Sequence, residues 1–237
     1  MKKEKLAEVK SLKTVIILVA ITFLYMIYTY QGKSDFYLIF FNRSPIYKDA
    51  QAYGQYYQWG MAFFLLGIIP AFIVKLGFKE SLKEYGLFLT HPLRALFITL
   101  LGVGILTPII YFGSKNPNIT AVYPLVLNTG DSPLLFLQSS LFYLFYYIGY
   151  EFCFRGFLFM GIKEDIGEWQ ALAVSLIATV LLHVDRPQEE MIMTIFAGFA
   201  FPIIVKRLGS IWPVVFIHAY AGIALDYWLI MGGGGFP

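Results

Sequence analysis

The stretch Leu141-Phe142-Tyr143-Leu144-Phe145-Tyr146-Tyr147-Ile148-Gly149-Tyr150-Glu151-Phe152-Cys153-Phe154-Arg155-Gly156-Phe157-Leu158-Phe159-Met160-Gly161-Ile162 decides the fold. It is apolar and aromatic nearly throughout and long enough to cross a bilayer as a helix. Yet it carries a carboxylate at Glu151 and a guanidinium at Arg155. Residues four apart share a helix face, with Cβ atoms about 5–6 Å apart, so these two can touch. By insertion scales each charge costs about 2.5–3.5 kcal/mol near the bilayer centre. The pair therefore belongs against other helices or in a wet cavity, not against lipid.

The rest of the composition agrees with a membrane helix. Of 237 residues, 58% are hydrophobic and only 14% charged, where a soluble domain carries about a quarter charged residues. The expected fold class is all-α: a polytopic, multi-pass transmembrane helix bundle with the lipid bilayer as its surroundings. Cys153 is the one cysteine, so no intrachain disulfide forms and the redox compartment is not readable from it. The net charge of +3 is small. No basic stripe with interleaved aromatics occurs, which removes nucleic acid as a partner.

Outward from the motif, about seven spans are expected, with eight as the alternative. They are Thr14–Gly32, the later part of Ala50–Val74, Ala95–Ser114, Pro133 to about Lys163, Trp169–Val184, Met191–Val205 and Ile211–Met231. The fourth, at about 1.5 Å per residue, is longer than the hydrocarbon core and should tilt, or kink near Gly149 or Gly156. The fifth and sixth are short. Lys33–Asp49 reads as a loop or an interfacial helix, and Asn118-Ile119-Thr120 matches a glycosylation sequon of unknown compartment. Lys2, Lys3, Lys5, Lys10, Lys13, Lys75, Lys79, Lys83, Arg94, Lys163, Lys206 and Arg207 fall on the N-terminal side of such a bundle. Only Lys33, Arg43, Lys48, Lys115 and Arg186 fall opposite, so the N-terminus is expected inside. The chain divides into N-terminal spans and connectors (1–131), a core carrying the polar motifs (132–231) and a flexible tail (232–237).

Inside the spans the polar groups are Glu151, Arg155, His183 and His218, with Asp226 a weaker fifth. Singly, each has a plain structural reading: a histidine as a helix-packing residue, the Glu151–Arg155 pair as glue. Together, one carboxylate and two imidazoles on three spans are what activating a water requires. The carboxylate takes the proton, and an imidazole orients the water or donates to the developing oxyanion. Two histidines and a glutamate also make a zinc set, so zinc is an open alternative, although no His-x-x-x-His lies on one helix. A proton-coupled transporter is a third class, but the chain shows no doubled halves.

Glu151-(x3)-Arg155-Gly156-Phe157-Leu158, then Leu181-Leu182-His183, then Arg207-Leu208-Gly209-Ser210-Ile211-Trp212-Pro213-(x4)-His218 resemble the successive motifs of the CAAX-protease and bacteriocin-processing (CPBP, or Abi) intramembrane protease family. The resemblance covers roughly Pro133–Tyr227. It implies a helical intramembrane endopeptidase, multi-pass in the plasma (inner) membrane of a bacterium, that cleaves a membrane-associated peptide or protein. Carried over residue by residue, Glu151, His183 and His218 are the catalytic set, and Arg155 and Tyr150 are orienting or structural. Metalloprotease is the family's traditional label, while a glutamate mechanism without bound metal is favoured for CAAX-processing members. Three positions depart from the pattern: Tyr150 stands where the first of two glutamates is usual, Thr179 where Phe is frequent, and Gly222 where Asn is frequent. The alternative implied is an inactive relative acting as an immunity or partner-binding membrane protein.

Overall fold

The computed structural model describes residues 2–234 and Phe236, with side chains from Leu12 onward. Among the described residues there are nine helices and no strand: α1 (Lys2–Gln31), α2 (Ser34–Phe40), α3 (Tyr47–Phe78), α4 (Pro92–Gly113), α5 (Pro117–Thr120), α6 (133–166), α7 (Glu168–Leu181), α8 (Gln188–Leu208) and α9 (Trp212–Gly232). This is the all-α bundle that the apolar runs predict. Leu12–Gln31, α3, α4, α8 and α9 are each long and apolar enough to cross a membrane. The other two expected spans are the motif helix α6 and the short α7. Of the expected tail, Gly232 closes α9 and Gly233 and Gly234 form a turn, while Gly235 and Pro237 lie outside the described residues.

The Lys33–Asp49 segment contains α2, which buries no residue of its own and stacks Tyr37 on Tyr57 of α3 with ring centroids 5.6 Å apart. An aromatic-rich helix of this kind suits the membrane interface. The short α5 is tied to α8 by Asn116 and Asn118, whose side-chain amides both donate to Glu189 at 2.9 and 3.0 Å.

Helix α6 begins at Ser132, whose hydroxyl accepts the amide of Leu135 (3.3 Å), with Pro133 in the first turn, where its missing N–H is harmless. Its α-helical part runs to Glu151. Phe152–Met160 is then π-helical, and Gly161–Ile166 returns to α geometry. The expected irregularity is therefore spread over two turns that include Gly156. The wider turn starts directly after Glu151, and π segments within α-helices are frequent at functional sites. All of Phe152–Phe159 is buried.

That burial rests on close helix approach. A Cβ on Gly149 would lie 2.7 Å from Phe63 Cα and 3.0 Å from the Ala62 carbonyl oxygen, so α3 and α6 touch backbone to backbone there. Small residues at such crossings replace the hydrophobic drive that lipid does not supply. Gly149→Ala is expected to overpack the crossing and lower stability by about 1–3 kcal/mol, read as a lower unfolding midpoint in detergent. The main core draws on both sides of position 131. It joins Ile17, Ile21 and Leu24 of α1 and Leu65 and Leu66 of α3 to Phe154, Phe157 and Phe159 of α6 and Val214 and Val215 of α9.

The α8–α9 turn is clamped by the connector after α3. Gly209 takes φ +61, the left-handed conformation that ends α8. Ile211 N–H donates to Gly86 O (2.9 Å), Trp212 Nε1–H to Leu87 O (2.9 Å) and Thr90 Oγ1–H to Leu208 O (2.5 Å). The Leu208–Pro213 motif is thus a fixed entry to α9, and it sets the register that brings His218 to the bundle interior.

Two spans differ from expectation. Helix α8 starts earlier and ends later than Met191–Val205, because Glu189 and Glu190 occupy its first turn and Lys206 and Arg207 its last, each sign complementing the helix dipole. Helix α7 ends at Leu181, so His183 lies in the turn beyond it. There its Nδ1–H donates to Thr179 O (2.9 Å), one of the carbonyls left without an intrahelical partner at a helix end.

Candidate active site

Glu151 is 0% exposed and Arg155 1%, and both are held by three helices. His218 of α9 donates Nδ1–H to Glu151 Oε1 at 2.5 Å. Arg155 Nε lies 3.2 Å from Glu151 Oε2, an ion-pair distance at which the N–H is not aimed for a hydrogen bond. Arg155 instead donates Nη1–H to Thr179 Oγ1 of α7 (2.9 Å), and Thr179 passes its own hydroxyl proton to Ser175 O (2.6 Å). Ser175 in turn donates to Phe154 O (3.0 Å) beside Arg155. The guanidinium also lies over the rings of Tyr150 (5.8 Å) and Phe201 (5.7 Å). One face of the Glu151 carboxylate thus meets a cation and the other an imidazole.

The sequence leaves two choices open for Glu151, locked to Arg155 or free to act, and the geometry is a third. The carboxylate is shared, with its tighter contact to His218. Because an ionised carboxylate only accepts, it fixes the proton of His218 on Nδ1 and leaves Nε2 as the free nitrogen. His218 is 22% exposed in its side chain and borders a cavity of about 520 Å³; Glu151 does not border it. His183 borders the same cavity from the α7–α8 turn. Tyr150, at the position where the first of two glutamates is usual, presents its ring to both imidazoles, 5.4 Å from His218 and 6.1 Å from His183, each edge-on. His183 and His218 therefore share one cavity, and Glu151 contacts His218. Glu151 meets the cavity only through His218.

Thr179 is the joint of this arrangement. Its hydroxyl accepts from Arg155 and its carbonyl accepts from His183, so one residue sets the positions of two predicted site groups. Thr179→Val keeps the shape and leaves a buried charged donor without an acceptor. It is expected to destabilise the protein by about 1–3 kcal/mol, measured as a lower denaturation midpoint in detergent.

Two further residues shape the cavity. Tyr147 lies tilted against the His218 ring, with centroids 4.4 Å apart, and its hydroxyl fills the space that a side chain at Gly222 would need. The hydroxyl nearest the position of the missing amide is that of Tyr147 rather than Tyr150. Glu190, in the first turn of α8, borders the cavity, accepts a hydrogen bond from Tyr123 OH at Oε2 (2.6 Å) and places Oε1 3.7 Å from His183 Nε2. The spacing of an acidic residue seven positions after His183, at the head of an apolar run, is the signal that could have found it.

Asp226 is buried on α9, and its Oδ1 makes no hydrogen bond with the protein. It does not border the cavity. No group of three His, Cys, Asp or Glu among the described residues is placed to hold a metal ion as the side chains stand. The Nδ1–H of each site histidine is given to Glu151 or to Thr179 O, which leaves Nε2 as the nitrogen that would ligate a zinc ion.

Most of the remaining cavity wall is apolar and includes Leu101 and Ile105 of α4 and Phe196 and Ala197 of α8. An arrangement of this kind can hold an apolar chain beside a proton-exchanging pair. No curated protein and no solved structure matches the chain. The profile of the type II CAAX prenyl endopeptidase Rce1-like family matches residues 132–224, which hold the Glu151–Arg155 segment, His183 and the turn leading to His218. Over those residues the chain is similar to the Rce1-like, type II CAAX prenyl endopeptidase family, which supports the resemblance to the CPBP/CAAX intramembrane proteases.

Proposed function

We propose that the protein is an intramembrane endopeptidase that hydrolyses a peptide bond of a membrane-associated peptide or protein, using Glu151, His183 and His218. The observation that carries this reading is the buried Glu151 carboxylate at 2.5 Å from His218 Nδ1, with the other face of that imidazole on a cavity shared with His183. Glu151 acts through His218. Holding Nδ1–H, it leaves Nε2 basic and steadies the positive charge that appears when Nε2 takes a proton from water. The water oxygen then attacks the scissile carbonyl. His183, and the Tyr147 hydroxyl beside Gly222, are the groups on the cavity that can serve the developing oxyanion. Arg155 touches Glu151 and Thr179 and acts as a positioning residue.

The apolar lining from α4 and α8 suits the hydrophobic part of a membrane-tethered substrate. Sidedness follows the basic residues: the N-terminal side carries most of them and faces the inside of a bacterial plasma membrane. A second reading, an inactive relative that binds a membrane partner, draws on the sealing of Glu151 away from the cavity and on Tyr150 in place of a carboxylate.

The test is purified protein in liposomes with a library of membrane-anchored peptides. Wild type is expected to release soluble fragments, and His218→Ala is not. Binding of a peptide with no turnover in either protein would favour the inactive relative.

A further inference from the structure

We propose that Glu190 is a further catalytic residue, which with His183 forms a second carboxylate–imidazole pair that donates the proton to the leaving amine. The proposal rests on the peptidase reading and adds to it a group that the sequence motifs do not contain.

The geometry supplies the reasons. His183 gives Nδ1–H to Thr179 O, so in the neutral ring Nε2 carries a lone pair. Opposite that nitrogen, at 3.7 Å, is Glu190 Oε1. A lone pair facing a carboxylate in a poorly solvated site is unfavourable unless the two hold a proton between them, directly or through a water. Burial disfavours a lone imidazolium, and Glu190 is the carboxylate at hand to retain that proton. Tyr123 OH fixes Oε2 at 2.6 Å, which leaves Oε1 for His183 and the cavity.

The surrounding groups come from every neighbouring element. Tyr143, Tyr147, Tyr150 and Arg155 face the pair from α6, Arg186 from the α7–α8 turn, Glu189 from α8 and His218 from α9. Arg186 sits over the Tyr123 ring at 5.9 Å, beside the Tyr123–Glu190 hydrogen bond. Glu189 is engaged by Asn116 and Asn118. His183, Glu190 and His218 thus border one cavity, with Glu151 behind His218. In the proposed cycle Glu151–His218 takes a proton at Nε2, and His183–Glu190 gives one. Environments that set two titratable pairs apart in this way mark the base and the acid.

The step balances. His218 Nε2 takes one proton from water as the hydroxide oxygen bonds to the carbonyl carbon. The His183–Glu190 pair gives one proton to the amide nitrogen as the C–N bond breaks. The products are a carboxylic acid and an amine, and a proton passing back from His218 to His183–Glu190 resets both pairs.

The experiment is the pH–rate profile of liposome-embedded protein on a cleavable membrane-anchored peptide, for wild type, Glu190→Gln, Glu190→Asp and Tyr123→Phe, with an unfolding midpoint for each. Glu190→Gln is expected to lower kcat by about 10² or more with little change in KM. Its alkaline limb should move to lower pH by about one unit, because an imidazolium without its carboxylate gives up its proton more readily. Glu190→Asp should keep the limb near its wild-type place, and Tyr123→Phe should give a smaller fall in kcat than Glu190→Gln. An unmoved alkaline limb, with any rate loss tracking a lower midpoint, would make Glu190 a structural anchor for Tyr123 and Arg186 and overturn the proposal. Loss of the acidic limb instead would make Glu190 a base and overturn its role as acid. Wild-type kcat in Glu190→Gln would remove Glu190 and leave the peptidase reading standing, whereas no turnover in wild type on any peptide removes both.

Discussion

Glu151→Gln is expected to lower kcat by about 10³-fold or more on a peptide that wild type cleaves, within the range that positioned acid–base groups supply. The substitution nearly preserves shape and removes the charge that stands 2.5 Å from His218 Nδ1. A glutamine oxygen can still accept Nδ1–H, but it cannot balance the positive charge His218 gains on taking the proton of water. The amide also lets the ring flip to present Nδ1–H to the cavity, which takes away the base. KM should change little, because Glu151 does not border the cavity where substrate sits. Arg155 keeps a buried charge without its counterion in this variant. The midpoint is therefore measured beside the rate, and Glu151→Gln/Arg155→Met serves as a control in which both charges are gone. That control should regain stability and stay inactive. A double variant with wild-type turnover would show that the pair serves the fold alone.

The second large effect is on stability. Arg155→Ala is expected to destabilise by about 3–5 kcal/mol, the usual result of stranding one partner of a buried pair. It leaves the Glu151 carboxylate, 0% exposed, with His218 as its one hydrogen-bond partner among the described residues, and it empties the acceptor at Thr179 Oγ1. Arg155→Lys keeps the charge and should still be damaging. A compact ammonium cannot meet Glu151 on α6 and Thr179 on α7 together as the planar fork does. Chemical denaturation in detergent reads both variants. A midpoint for Arg155→Lys equal to wild type would remove the bridging role given to the guanidinium.

Much of this was legible in the sequence because the signals are local. The cost of a charge in a membrane helix put Glu151 and Arg155 in the interior, and the i,i+4 spacing brought them to one face. The long apolar runs gave the helices, and the motif after Arg207 gave the turn into α9. What escaped depends on how separate elements meet. Glu190 sits in a polar connector by sequence and reaches the cavity only because α7 stops at Leu181 and the chain turns back at once into α8. Thr179, a departure from the family pattern, turns out to couple Arg155 to His183 through its hydroxyl and its carbonyl. The space beside Gly222, where Asn is frequent in the family pattern, is filled by Tyr143 and Tyr147, which no spacing on one helix reveals. The expectation that Glu151 itself meets water was a reading of residue type. Its sealing behind His218 is a property of packing.

The most direct test of the account is hydrolysis in oxygen-18 water, with wild type and Glu151→Gln/Arg155→Met each in liposomes on one membrane-anchored peptide. Mass spectrometry of the new C-terminus reads the outcome. Water attack promoted by Glu151 through His218 predicts oxygen-18 in the new carboxylate from wild type and no product from the double variant. Unlabelled product, equal product from both proteins, or none from wild type would contradict it.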